Sequence, residues 1–148
     1  MKTMLLSKRW WLYFLLLFVI WYPVSVLLFT YYELTGNPYT YIVSNIFTPL
    51  WFLFVGFLYF RKARNDWSAR FVTAFGWIFL TFLLEVLLVE PVYGYSWEII
   101  LNLEVLVSNW INVVAVLVAG VAAQMPGTLP PTPQDKIQDV IENGPKGR

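Results

Sequence analysis

The chain contains no cysteine and no histidine. Without thiols there is no disulfide, no thiolate cluster and no thiol redox chemistry. Without imidazole the usual zinc, haem and di-iron ligand sets are gone as well. The commonest general base near neutral pH is missing too. Charge is also scarce: Asp, Glu, Lys and Arg make up 13% of the 148 residues, against roughly a quarter in ordinary globular domains. No phosphate-binding loop, no metal-ligand spacing and no nucleophile paired with a base occurs in the sequence. The expectation is therefore a protein without a cofactor that is not an enzyme. A net charge of +1 is by itself neutral on nucleic acid; the apolar excess described next makes lipid, not nucleic acid, the expected partner.

Hydrophobic residues account for 59% of the chain and aromatic residues for 20%. A small soluble domain buries only about two thirds of its surface, so this much apolar area has to face something other than water. Apolar runs of about 20 residues are long enough to cross a bilayer. They fall at about 10–30, 41–60, 71–89 and 99–123, the third interrupted by Glu85 and the fourth carrying Glu104 near its start. The fold class expected is an all-α integral membrane protein of four transmembrane helices. Residues 1–9 form an N-terminal segment, 10–123 a four-helix transmembrane domain and 124–148 a tail.

The cations orient the spans. Lys2, Lys8 and Arg9 precede the first, Arg61, Lys62, Arg64 and Arg70 separate the second from the third, and Lys136, Lys146 and Arg148 lie in the tail. The loops at 31–40 and 90–97 hold none. All ten therefore fall on one side, which the positive-inside rule makes cytoplasmic. Both termini are expected in the cytoplasm of a cell whose plasma (inner) membrane carries the chain. Trp10, Trp11, Trp67 and Trp97 sit at span ends, where indole rings favour the headgroup layer.

Two stretches repeat weakly. Val43-Ser44-Asn45 with Thr48 and Gly56 parallels Val107-Ser108-Asn109 with Asn112 and Gly120, and Trp21 with Ser25 parallels Trp77 with Thr81. A duplicated two-helix hairpin predicts two parallel repeats about an axis along the membrane normal.

Residues three or four apart share a helix face. Arg70, Ala74, Trp77, Thr81 and Glu85 form one such stripe, and Glu104, Ser108, Asn112, Ala115 and Ala119 another. Ala115, Ala119 and Ala123 make a small-residue series that lets another helix approach closely. The candidate polar or ion site is Glu85, Glu104, Ser108, Asn109 and Asn112 with Asn45 and Thr48, all in the outer half of the spans above an apolar inner floor. A carboxylate at the depth of Glu85 costs several kcal/mol unless it snorkels, pairs or protonates. With no outer cation available, its expected partners are Ser108, Asn109 or Asn112. Pro49 removes a backbone hydrogen bond inside the second span and frees the Asn45 carbonyl.

In the tail, 124–133 is Pro- and Gly-rich and reads as a linker, followed by a short helix over 133–143 with Thr132 as its cap. The expected role is a non-catalytic small multi-pass membrane protein, either an accessory subunit of a larger membrane-protein partner or a self-assembling module that forms a homo-oligomer. The alternative is a small oligomeric transporter or channel with an outward-facing polar site around Glu85.

Overall fold

The computed structural model describes residues 7–63, 65–96, 98 and 103–124, without the side chains of Glu104, Val105, Leu106 and Ser108. The tail linker, the helix expected over 133–143 and Trp97 lie outside the described residues. Among the described residues four helices carry the fold: α1 (Lys8–Thr35), α2 (Pro38–Phe60), α3 (Trp67–Tyr93) and α4 (Leu103–Ala122). At about 1.5 Å per residue, the 28 residues of α1 and 27 of α3 reach about 40 Å and the 23 of α2 about 35 Å, against a hydrocarbon core of about 30 Å. These three are long and apolar enough to cross a membrane; α4 is a fourth, shorter apolar helix.

Caps set the ends. The Ser7 hydroxyl accepts from the Trp10 amide at 3.1 Å and opens α1. Asn37 accepts from the Tyr39 amide at 3.0 Å with Pro38 at the first helical position, where its missing N–H costs nothing. Asp66 accepts from the Ala69 amide at 2.7 Å and opens α3. Both α1 and α3 stop at a left-handed glycine, Gly36 with φ 62° and Gly94 with φ 71°, a conformation that other residues adopt only under strain. These helices therefore overrun the apolar runs at 10–30, 41–60 and 71–89 by about a turn where caps lie beyond them.

One face of every helix is left to lipid. Ile42, Ile46, Leu50 and Phe54 on α2, and Phe71, Phe75, Phe79, Leu83 and Leu87 on α3, repeat every fourth residue and are all exposed. Apolar stripes of this length exceed what a monomeric soluble surface carries. The opposite faces meet inside. α2 packs against both α1 and α4, α3 packs mainly on α4, and α1 and α3 touch only along a thin seam. The closest approach joins α2 to α4, where a Cβ added to Gly56 would stand 3.1 Å from the Ala119 Cβ. Ala115, Ala119 and Ala123 are buried there, as the small-residue series predicts.

Polarity divides the bundle lengthwise. Lys8, Arg9, Arg61, Lys62 and Arg70 mark one end, and Glu33, Glu90 and Glu98 the other. At the basic end the interior is aromatic and solid. Trp10, Leu17, Val55, Tyr59, Trp77 and Val116 are almost wholly buried, with Tyr59 and Trp77 rings 5.4 Å apart and Trp10 6.2 Å from Trp77. Trp10 is thus a core residue, not a headgroup anchor; Trp11 and Trp67 remain on the surface. Trp51 ties α2 to α1 by donating its indole N–H to the Leu17 carbonyl at 3.0 Å.

Below that floor lies a polar knot. Arg70 is buried, stacks over the Trp67 ring at 4.6 Å, and donates from Nε to the Asn65 side-chain oxygen at 2.8 Å and from its guanidinium to Gln124. Asn65 donates to the Gly120 carbonyl at 2.8 Å, and Gln124 donates back to the Asn65 carbonyl. The buried cation therefore sits against the last turn of α4, where the helix dipole presents negative partial charge.

Candidate functional site

The polar stripes meet at the acidic end. On α3, Ala74, Trp77 and Thr81 are buried and Glu85 is half-buried; on α4, Asn112 is buried and Asn109 half-buried. Between the four helices they leave a cavity of about 420 Å³. From α1 it is lined by Trp21, Tyr22, Ser25 and Phe29, and from α2 by Ser44, Asn45, Thr48 and Pro49. Glu85, Val89 and Tyr93 close the α3 side and Asn109 and Asn112 the α4 side, with Tyr95 at the mouth.

Pro23 and Pro49 lie inside α1 and α2 at this level, and each removes one backbone donor from its helix. One residue before Pro49, the Thr48 hydroxyl donates to the Ser44 carbonyl at 3.1 Å and accepts from the Trp21 indole at 3.1 Å, which ties α2 to α1 at this level. Trp21 and Phe52 meet edge to face at 6.2 Å just beneath, and this is where the cavity ends and the packed floor begins. At the mouth, Phe29 crosses the thin α1–α3 seam to meet Tyr93 and Tyr95, with ring centres 5.0 and 6.1 Å away.

Glu85 lies two turns before the last residue of α3, roughly 12 Å along the axis at 1.5 Å per residue. The sequence placed it nearer the end of its span, because the helix continues through Glu90-Pro91 to Tyr93. Its electrostatic neighbours are the phenols of Tyr22 and Tyr93. Two hydroxyls beside it, Tyr22 Oη and Ser25 Oγ, are buried without a hydrogen-bond partner among the described residues.

Of the seven residues expected to form a polar site, Asn45, Thr48, Glu85, Asn109 and Asn112 line this one cavity, Asn45 from an exposed position at its edge. The side chains of Glu104 and Ser108 lie outside the described residues. Asn109 accepts weakly from Asn112 at 3.4 Å. Sequence reasoning missed the α1 wall. Trp21 and Ser25 were visible only as a possible repeat, and Tyr22 and Phe29 carried no signal beyond lying three or four residues from Ser25 on a helix that has no charge in its apolar run. Comparison with protein families, with curated proteins and with solved structures finds no match to this chain.

Proposed function

We propose that the chain is a non-catalytic membrane protein that crosses the bilayer four times with both termini in the cytoplasm, and that it acts as a binding module through the cavity at its acidic end. The observation that carries this reading is the contrast along the bundle axis: an open chamber that holds Glu85, Asn109 and Asn112 within mainly apolar walls, above a solid aromatic floor. A chamber of this kind can hold a solute and has no continuous path through one copy of the chain. The one-sided cations favour an outward-facing mouth.

Accessory or self-assembling behaviour is supported by a shallow apolar groove of about 250 Å³ between α3 and α4, lined by Phe75, Phe79, Trp110 and Val113, where a helix of another copy or of a larger partner would fit. The pairing order, with α2 against α4 in the centre and α1 and α3 on the flanks, is also what a duplicated parallel hairpin would produce. Gly36 and Gly94 ending the first helix of each hairpin fit the same idea. The second reading, a transporter, rests on Glu85 within the chamber and requires either a rearrangement of the floor or a path between copies.

Purification in mild detergent tests the assignment. A stoichiometric larger membrane protein supports the accessory role, and a homo-oligomer supports the self-assembling or transporting one. A strictly monomeric chain without partners removes both. The orientation is checked with an impermeant thiol reagent on the cysteine-free background: Thr35→Cys should react from outside and Lys62→Cys should not. The reverse pattern overturns the topology.

A further inference from the structure

We propose that the chamber takes a small organic monocation, an alkylammonium ion held by the Glu85 carboxylate and the aromatic walls. The proposal rests on reading the chamber as the binding site and adds the class of ligand.

Charge comes first. Glu85 is the titratable acid in the lining, and none of the ten Lys and Arg residues occurs between positions 10 and 60 or between 71 and 135. Among the described residues this acid has no cation to neutralise it, so a guest cation meets uncompensated negative potential. An anion would meet the same field as repulsion.

The lining also bears on the valence and softness of that cation. Divalent metals of the hard type gather six to eight oxygen ligands, commonly with several carboxylates. Among the described residues no three acidic side chains converge. One carboxylate matches one positive charge. The rest of the wall is ring surface: Trp21, Tyr22 and Phe29 from α1 with Tyr93 and Tyr95 opposite. Aromatic faces attract ammonium groups through the ring quadrupole, and clusters of rings around one acid are suited to cations too large and weakly hydrated for a carbonyl cage.

Hydrogen-bonding capacity is also left unused. Tyr22 Oη and Ser25 Oγ are buried with no partner among the described residues, although buried polar atoms are ordinarily satisfied. Both residues line the chamber, and a small side-chain shift would turn either oxygen toward an N–H of a primary ammonium or a hydroxyl on the guest. A volume of about 420 Å³ lies within the usual range for small-molecule sites and exceeds what a bare alkali ion needs.

The full chain in lipid nanodiscs, titrated by calorimetry with matched probes, tests the proposal. The probes are choline, benzyltrimethylammonium, and the uncharged alcohol in which a tert-butyl group replaces the trimethylammonium of choline. At least one of the two cations is expected to bind ten times or more tightly than the alcohol, and Glu85→Gln is expected to lose that preference. Should Glu85→Gln fail to fold, the comparison of isosteres on the unaltered chain decides alone. Equal binding of cation and alcohol overturns the cation assignment and leaves the chamber as a site for neutral solutes. Absence of binding by all three overturns it too. In that case a thiol at Asn112 that reacts from outside preserves the chamber, and one that stays unreactive removes the chamber itself.

Discussion

At the basic end of the bundle, Arg70 is buried yet fully engaged: Asn65, Gln124 and the Trp67 ring surround its guanidinium, and the last turn of α4 supplies the opposing dipole. At the acidic end, among the described residues, no cation faces Glu85, and the hydroxyls of Tyr22 and Ser25 on the same cavity wall are unpartnered. The same four helices thus treat a buried charge in opposite ways. Within lipid no hydrophobic pull draws helices together, so close packing and interhelical hydrogen bonds decide where a bundle closes. Where small residues face each other, as at Gly56 and Ala119, and rings interlock, as at Tyr59 and Trp77, the bundle is solid. Where the wall between α1 and α3 is thin and is closed at the mouth by Phe29 against Tyr93 and Tyr95, it stays hollow. The lesson is that unsatisfied polarity and empty space occur together at one end, which is the arrangement a guest molecule would complete.

That comparison can be broken most forcefully at the floor. Trp77→Ala deletes a fully buried ring that contacts both Trp10 and Tyr59. Its cost should approach the about 3–5 kcal/mol seen for large aromatic truncations in cores, measured as the shift in unfolding equilibrium in detergent micelles. A truncation on the chamber wall, Tyr22→Ala, should cost clearly less, since part of that ring already borders empty space. Equal losses would mean that the two halves are packed alike.

A smaller effect is expected at the knot. A Cβ on Gly120 would come within 2.8 Å of Arg70 Cγ and 2.9 Å of its Cδ. The side chain cannot swing away cheaply, because Asn65 and Gln124 hold its far end. Gly120→Ala should therefore cost about 1–3 kcal/mol, the range for overpacking. Gly56→Ala, which meets the Ala119 Cβ at 3.1 Å, should cost less. If Gly120→Ala proves neutral by thermal unfolding, Arg70 is not pinned. Smallest of all is the expected change at Thr48. Removing its hydroxyl breaks the bond from Trp21 and the bond to Ser44, yet interhelical hydrogen bonds in membranes average below about 1 kcal/mol. A loss of several kcal/mol for Thr48→Ala would make the chamber wall a structural element like the floor.

Much of this arrangement can be read from the residues alone, and the reasons it stops are specific. Apolar run length places the helices because the bilayer imposes it, and the i, i+4 stripe from Arg70 to Glu85 correctly picks the inward face of α3. The helix ends are less visible, since Asn37-Pro38 and Asp66 act as caps outside the apolar runs that define the spans. Trp10 illustrates a deeper limit: an indole at a span end favours the headgroup layer or the core equally well by composition, and only the presence of Trp77 and Tyr59 opposite decides. Arg70 likewise reads as a topogenic cation, while its burial depends on Gly120 leaving room fifty residues later in the chain. The α1 side of the chamber is illegible because ring surface facing lipid and ring surface facing a cavity look identical in sequence.

The account turns on a boundary along one face of α4. Asn112 lines the chamber, and Val116, a single turn further toward the basic end, is fully buried in the floor. Single cysteines at these two positions, in a chain that has none of its own, can be exposed to a small water-soluble thiol reagent added to either side of sealed proteoliposomes. The account predicts that Asn112→Cys reacts from outside alone and that Val116→Cys reacts from neither side. Reaction at both positions, at neither, or at Asn112→Cys only from the inside would contradict an outward chamber closed by a solid floor.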